Sequence, residues 1–396
     1  MDELRPQIHD TFANQQSTLG NVADSRERLV RAGLAARKVH REGRTQFAAG
    51  VAAIVIAALV IATFAYVRNG VGISRHGPPV PASSPTPLSR ALNVSNDTPV
   101  ILYHDPASFD QLDGMTWDGR VSGRVGPGVT NGGMGNPQGS LYATSAEIRD
   151  RAGQVLTTYS YKDFAIHWAD DTSHYCAIVR TASREVSGAG ELELAVPGSA
   201  PQQVARVGMF QPATSNGGGP AVVACSPATD RAVVYQSGGQ GVGVTQFSVL
   251  QLSTGRVLWA GGSGSWIAAS HDGRFVALAG ASGDSTIFGD TGAPLAHLST
   301  TVFGFSWDAT LVVTAQTFSS PASVLRWRDG TTVWAAQGGT NSYWQSFAEP
   351  GGTHLAIGIL DPQFPQTNGW AAADLYVISA DGTVVFEKKD LVLFSQ

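Results

Sequence analysis

The sequence predicts an all-β fold: a β-propeller of about seven blades, preceded by one transmembrane α-helix. Three observations carry that prediction. Phe47 to Val67 runs FAAGVAAIVIAALVIATFAYV without a charge. At about 1.5 Å per helical residue its 21 residues reach roughly 31 Å, enough to cross a hydrocarbon core. Beyond it the chain is poor in charge (14% overall, against about 25% in ordinary domains) and rich in glycine, a composition of short strands and tight turns. Finally, from about residue 98 onward a unit of roughly 35 to 55 residues recurs, and periods of that size mark propellers and solenoids.

The head, residues 1–46, is basic close to the apolar run: Arg26, Arg28, Arg31, Arg37, Lys38, Arg41 and Arg44 precede it, whereas Arg68 and Arg75 follow it. Positive charge is retained on the cytoplasmic side, so the N-terminus is expected in the cytoplasm and the rest outside the membrane, with Tyr66 at the outer headgroup level. A buried core helix is a poor alternative, because a helix apolar on every side is out of place in a soluble β protein. A cleaved signal peptide fits no better: the n-region is 46 residues, the apolar stretch is too long, and Thr63-Phe64-Ala65 is a poor cleavage site. Asp24-Ser25-Arg26-Glu27 can open a helix with a weak apolar stripe through Leu29, Val30, Leu34 and Val39, so the head is expected to be partly helical. Its basic face suits anionic lipid or a cytoplasmic partner.

Residues 68–97 hold Pro78, Pro79, Pro81, Pro85 and Pro87 among Ser, Thr and Ala, an extended spacer. The remainder, 98–396, is the predicted propeller. Its clearest hairpin is Ile267-Ala268-Ala269-Ser270-His271-Asp272-Gly273-Arg274-Phe275-Val276-Ala277-Leu278. Related hairpins surround Ser306-Trp307-Asp308-Ala309, Cys225-Ser226-Pro227, Glu349-Pro350-Gly351 and Trp168-Ala169-Asp170-Asp171. A second turn alternates with these: Thr254-Gly255, Thr291-Gly292, Asp329-Gly330, Asp381-Gly382 and Ala152-Gly153. Asp-Gly is expected to supply the positive φ values of two-residue hairpins. Two hairpins per unit make a four-stranded blade. Blade starts fall near 99, 136, 164, 221, 266, 302 and 345, and Leu391-Val392-Leu393-Phe394 is expected to join the first blade and close the ring, since an open edge would pair with other chains.

The form Ser-x-Asp-Gly-x-x-Val-Ala at 270–277 resembles the repeats of bacterial TolB-like and WD-repeat-like propellers, over about 98–396. The resemblance speaks to fold, because its residues form turns and strands. No Gly-His to Trp-Asp pairing occurs, so a true WD repeat is not supported. Arg outnumbers Lys by 22 to 4, as in GC-rich bacterial genomes.

From residue 97 on, 15 Lys and Arg stand against 25 Asp and Glu, net −10, which argues against nucleic acid as a partner. The two cysteines, Cys176 and Cys225, contain no CxxC, which excludes a zinc ribbon or thioredoxin-type site. They read either as two buried small hydrophobes or as a disulfide. The repeat alignment favours the disulfide, placing Cys225 at the end of an innermost strand and Cys176 at the start of a second strand one blade earlier. Gly238-Gly239-Gln240-Gly241-Val242-Gly243 lacks the Lys-Ser/Thr of a phosphate loop, and Gly261-Gly262-Ser263-Gly264-Ser265 lacks the pattern of a nucleophile elbow. Asp170, Asp171 and His174 read as turn residues rather than metal ligands, and neither metal nor cofactor is expected.

Binding on one propeller face is the expected function, with a protein, peptide or glycan as ligand. The candidate residues are Asp171, Asp230, His271, Asp272, Asp308 and Glu349 at equivalent turns, and Trp344 and Trp370 in irregular segments. Two alternatives remain at this point: a glycosidase-like hydrolase using channel carboxylates, and a transmembrane sensor whose head meets a cytoplasmic partner.

Overall fold

The computed structural model describes residues 90–393, apart from 106–110, 128–132, 145–146, 159–163, 182–186, 212–217, 239–242, 318–319, 337–341 and 361–372. The predicted cytoplasmic head, the apolar run 47–67, most of the spacer, and Trp370 lie outside the described residues. Among the described residues no helix is long and apolar enough to cross a membrane.

Among the described residues twenty-seven strands form seven units in chain order. The first is β1 (Val100–His104), β2 (Gln111–Thr116) and β3 (Ser122–Pro127); the second is β4 (Met134–Gly135), β5 (Leu141–Ala143), β6 (Glu147–Asp150) and β7 (Val155–Thr158). The third is β8 (Phe164–Trp168), β9 (Tyr175–Arg180), β10 (Gly188–Ala195) and β11 (Gln202–Phe210); the fourth is β12 (Pro220–Ser226), β13 (Arg231–Ser237), β14 (Val244–Gln251) and β15 (Val257–Gly261). The fifth is β16 (Trp266–Ala269), β17 (Val276–Ala279), β18 (Ser285–Phe288) and β19 (Pro294–Leu298); the sixth is β20 (Thr301–Phe305), β21 (Leu311–Ala315), β22 (Ser323–Arg326) and β23 (Thr331–Ala335). The seventh is β24 (Ser342–Ala348), β25 (Leu355–Leu360), β26 (Ala373–Ile378) and β27 (Val384–Leu393). Each is an antiparallel meander, and the seven starts lie within a few residues of the sequence expectation.

Why these sheets make a ring follows from where their apolar faces go. The first strands β8, β12, β16, β20 and β24 touch one another in succession and are therefore innermost. Middle strands such as β21 are buried on both faces and read as continuous apolar runs, whereas the fourth strands are largely exposed. Seven apolar clusters fill the spaces between units, and each joins two consecutive sheets. Val100 and Leu102 of the first meet Tyr142 of the second. Ile148 meets Trp168, Ile178 meets Val222, and Phe247 meets Ile267. Ile287 meets Val312 and Val313 meets Ile357. The last cluster sets Leu375 of the seventh sheet against Ile101 and Met115 of the first. Seven units with seven interfaces among the described residues, the last returning to the first, describe a closed propeller.

Strand β27 makes the closure covalently continuous. It pairs with β26 from Val384 to Leu391, then passes to β1, where Leu393 faces Tyr103 and Val392 faces His104. Exposure changes at the crossing, with Leu391, Val392 and Leu393 all buried. The sheet of the last blade thus runs on into the first, which removes the edge on β1.

The entry to the domain departs from the sequence reading. Residues 90–97, assigned to the spacer, lie against the first blade. Ala91 bridges Arg124 in parallel, covering the free edge of β3, and Leu92 and Val94 pack on the first interface. Arg151 fastens this arm, donating to the carbonyls of Gly139 (2.9 Å), Ser95 (2.9 Å), Thr98 (2.8 Å) and Gln138 (3.1 Å).

Candidate functional site

The turns between the first and second strands lie together at one end of the ring, with the turns between the third and fourth strands outside them. Their construction explains the recurring carboxylates. In the fifth blade Ser270 Oγ donates to Asp272 (2.5 Å) and accepts from the Phe275 N–H (3.0 Å), while Asp272 accepts from the Arg274 N–H (3.1 Å). Ser306 and Asp308 repeat the hydroxyl–carboxylate bond at 2.6 Å, as do Thr116 with Asp118 (2.6 Å) and Ser379 with Asp381 (2.5 Å) in outer turns. Only the residue after the aspartate takes a positive φ, 66° at Gly273 and 55° at Ala309. The Asp-Gly pair is therefore not a two-residue hairpin with two left-handed residues. The aspartate works through its side chain, and the hydroxyl-x-carboxylate pair satisfies backbone donors that the bend exposes.

Five carboxylates were expected at equivalent positions, and three occupy one. Asp171, Asp272 and Asp308 each precede the left-handed residue. Asp171 accepts from the backbone N–H groups of Ser173 (3.0 Å) and His174 (2.9 Å) and contacts His174 Nδ1 at 2.5 Å. Glu349 instead takes the place of Ser270, reaching His354 Nδ1 at 2.5 Å. Asp230 is itself left-handed, with φ 58°, and turns outward to accept from the Ser253 N–H and hydroxyl (both 2.6 Å) and from Gln251 (2.8 Å). The Asp230 turn closes one residue later, from the Asp230 N–H to the Pro227 carbonyl, whereas the Glu349 turn closes as the Ser270 turn does and carries its carboxylate at the hydroxyl position.

The carboxyl pKa values follow. Burial pushes Asp171 and Asp308 up, but the hydrogen bonds each accepts outweigh it and hold both below the usual range. The Ser253 hydroxyl, with Gln251, likewise holds Asp230 low. A glycosidase-type acid needs the opposite shift. Of the carboxylates on this face it is Asp170 that moves upward, through burial and the nearby charges of Asp171 and Asp272, opposed by a hydrogen bond from Ser226.

Asp170 leads to residues that the turn pattern alone did not single out. It occupies the turn position that His271 holds in the fifth blade and Trp307 in the sixth, between the hydroxyl position and the aspartate. Turn geometry makes no demand there. Ser226 Oγ donates to Asp170 Oδ2 at 2.6 Å from the neighbouring blade. Thr229 Oγ1 lies 2.7 Å from Ser226 Oγ and 2.5 Å from the Asp272 carbonyl. A polar chain thus runs Asp170, Ser226, Thr229, Asp272 across the third, fourth and fifth blades. His271 stacks on Trp307 with ring centroids 4.5 Å apart and planes inclined 28°. His167, on the innermost strand β8, lies near enough for His271 to disfavour its protonation; burial lowers both imidazoles to about 4, so both are neutral near pH 7. Among the described residues neither imidazole, nor the Trp307 indole N–H, has a hydrogen-bond partner, and the three side chains are half-buried.

Cys176 and Cys225 are joined by a disulfide, with Cα atoms 6.0 Å apart, between the third and fourth blades. The bond lies in the buried interface directly beneath this face: the Asp170 N–H donates to the Cys225 carbonyl at 3.0 Å. Trp344 lies within β24 rather than in an irregular segment, as suits an aromatic residue. Among the described residues Trp117, Trp168 and Trp327 are buried between blades, and Trp266 is the most exposed, near Phe303.

No family model matches the chain, and no curated protein does. Similar solved structures exist. The β-propeller domain of Cps50 (Swd1) from Myceliophteria thermophila is 11% identical, covers 68% of this chain and 95% of its own, and has a TM-score of 0.41. Hsv2 of Kluyvelomyces marxianus is 12% identical over 62% of this chain and 74% of its own, TM-score 0.41. Hsv2 of Kluyveromyces lactis is 11% identical over 73% and 74%, TM-score 0.40. At these identities the likeness concerns fold alone, and the propeller reading rests on the seven sheets and the interfaces between them.

Proposed function

We propose that the protein is a membrane-anchored binding module. Residues 47–67 span the membrane, the basic head is cytoplasmic, and a TolB-like propeller outside recognises a protein, peptide or glycan with the face that carries Asp170, His271 and Trp307. One observation carries the choice of face. Asp171, Asp272 and Asp308 accept hydrogen bonds from their own turns, whereas the half-buried His167, His271 and Trp307 hold polar atoms without a hydrogen-bond partner among the described residues, on a rigid scaffold. The anchor is supported by the 21-residue apolar run and the arginines before it. The disulfide supports the outer location, because such bonds persist in oxidising compartments.

The test uses the full chain. Retention of an envelope ligand by the immobilised protein is compared with that by a His167→Ala/His271→Ala variant of equal thermal stability. Loss in the variant supports the face; equal retention by both removes it. Protease added to intact cells should cleave the propeller, and its protection would overturn the proposed sidedness.

A further inference from the structure

We infer that the inner mouth of this face is a sugar site, taking a neutral pyranose unit of an oligosaccharide between His167 and the His271–Trp307 stack. The inference rests on the binding reading above and narrows its ligand. The argument begins with which polar atoms remain available. Asp171, Asp272 and Asp308 already accept hydrogen bonds from their own turns. Asp170 accepts from Ser226 through one oxygen, and its other oxygen is closed off from solvent. An anionic ligand would meet the negative field of these four carboxylates.

What remains open is neutral and mixed. Each uncharged imidazole offers one N–H donor and one acceptor nitrogen, and the indole adds a donor. A sugar hydroxyl both donates and accepts, so a ring of hydroxyls matches this set atom for atom. Geometry agrees. Trp307 is seated against the sixth interface and His271 lies over it, so the stack presents a flat face held from behind by packed side chains. A pyranose has an apolar C–H face and a polar rim, and a flat ring with polar atoms at its edge complements both. Support from behind matters, because a site held by packing loses little freedom on binding.

The experiment titrates the full chain with neutral oligosaccharides (maltohexaose, cellohexaose, mannohexaose and chitohexaose), following tryptophan fluorescence and binding heat, with polygalacturonate and oligolysine as charged comparisons. The expected result is saturable binding of at least one neutral oligosaccharide. His271→Ala should weaken it at least tenfold and His167→Ala at least fivefold, while Thr332→Ala, on the exposed outer strand β23, stays within twofold. In the unmodified chain the same sugar should shift the imidazole nitrogen resonances of both histidines, a readout independent of how the variants fold. If none of the four sugars binds, the sugar assignment falls. If at the same time a peptide or protein ligand still depends on His271, the wider reading of the face stands; if that dependence is absent too, both fall. Preference for either charged polymer likewise overturns the sugar assignment.

Discussion

Ser226 of the fourth blade donates its hydroxyl to Asp170 of the third at 2.6 Å, directly above the disulfide that joins the same two blades. Polar and covalent ties thus coincide at one interface, next to the open imidazoles. Removing the hydroxyl by Ser226→Ala leaves a half-buried carboxylate without its partner and should cost about 1–3 kcal/mol in urea unfolding. Asp170→Asn should behave differently. Burial raises the folded-state pKa of Asp170, so its contribution to stability is full below the unfolded value and is lost as pH rises through the folded one. The neutral amide removes that loss, and the variant should equal or exceed the parent at pH 7. A large loss of stability in Asp170→Asn would show that the charged form is the one the fold requires.

The disulfide closes a loop with a sequence separation of 49 residues. The chain-entropy relation gives about 4 kcal/mol for a loop of that size. Cys176→Ser/Cys225→Ser should lower the urea midpoint accordingly. Dithiothreitol should lower the parent's midpoint only when the protein is reduced while unfolded, because both cysteines are buried in the native interface. Rapid reduction of the native protein would contradict that burial.

Much of the fold was legible because the same physical demand recurs in every blade. A bend after an innermost strand exposes backbone donors, and in the fifth and sixth blades Ser-x-Asp with a small left-handed residue satisfies them. The turn spacing therefore located seven blades, and from them followed the adjacency of Cys176 and Cys225. What failed to show was register inside individual turns. Asp230 and Glu349 look equivalent to Asp272 in the sequence, yet Asp230 closes its turn one residue later and Glu349 stands at the hydroxyl position of a turn closed as at Ser270, so each carboxylate points elsewhere. His271 was named from the sequence, but Asp170 and Trp307 were not, for a related reason. All three stand at the one turn position that bending leaves free, so no pattern links them. Their meaning emerges only when the ring brings non-adjacent repeats together.

His167 and His271 make stability depend on pH. Burial lowers both folded-state values to about 4, from an ordinary value near 6.5. The unfolded chain therefore binds more protons between those limits. The contribution is complete above about pH 6.5, falls as pH drops through that window, and levels off below about 4. Both rings meet solvent, so the full linkage value is discounted to roughly 1 kcal/mol each, or about 2 °C of melting temperature per histidine for a domain of this size. Melting curves from pH 7 to 4 should show this fall beyond that of a His167→Asn/His271→Asn variant. Parallel pH profiles for the two proteins would rule out the histidines as its source.

Arg151 bonds to carbonyls alone, from both the entry arm and the second blade. Burial lowers its pKa, opposed by the charge of Asp97, yet the guanidinium remains charged at any ordinary pH. Hydrogen bonds to a charged group contribute about 1.5–3 kcal/mol, and a planar fork reaches several carbonyls that an ammonium cannot. Arg151→Ala should therefore release the arm over residues 90–98 and expose it to trypsin or thermolysin, while Arg151→Lys should restore only part of the protection. Unchanged protection in Arg151→Ala would mean that Ala91, Leu92 and Val94 hold the arm unaided.

Ring closure depends on three residues at the end of β27. Ending the chain at Asp390 removes the pairing of Val392 and Leu393 with β1 and the burial of Leu391, Val392 and Leu393. At about 1.5–3 kcal/mol per buried aliphatic side chain the loss is roughly 5–9 kcal/mol, comparable to the whole stability of an ordinary domain. It also frees the edge of β1 between two apolar blades, an open template for pairing with other chains. Leu393→Ala, which keeps the backbone pairing, should cost only about 2–5 kcal/mol and leave a monomeric, cooperatively melting protein. The truncated chain should lose its cooperative transition and sediment as aggregates. If it melts cooperatively within a few degrees of the parent, the seventh interface holds the ring by side-chain packing alone and the strand crossing is dispensable.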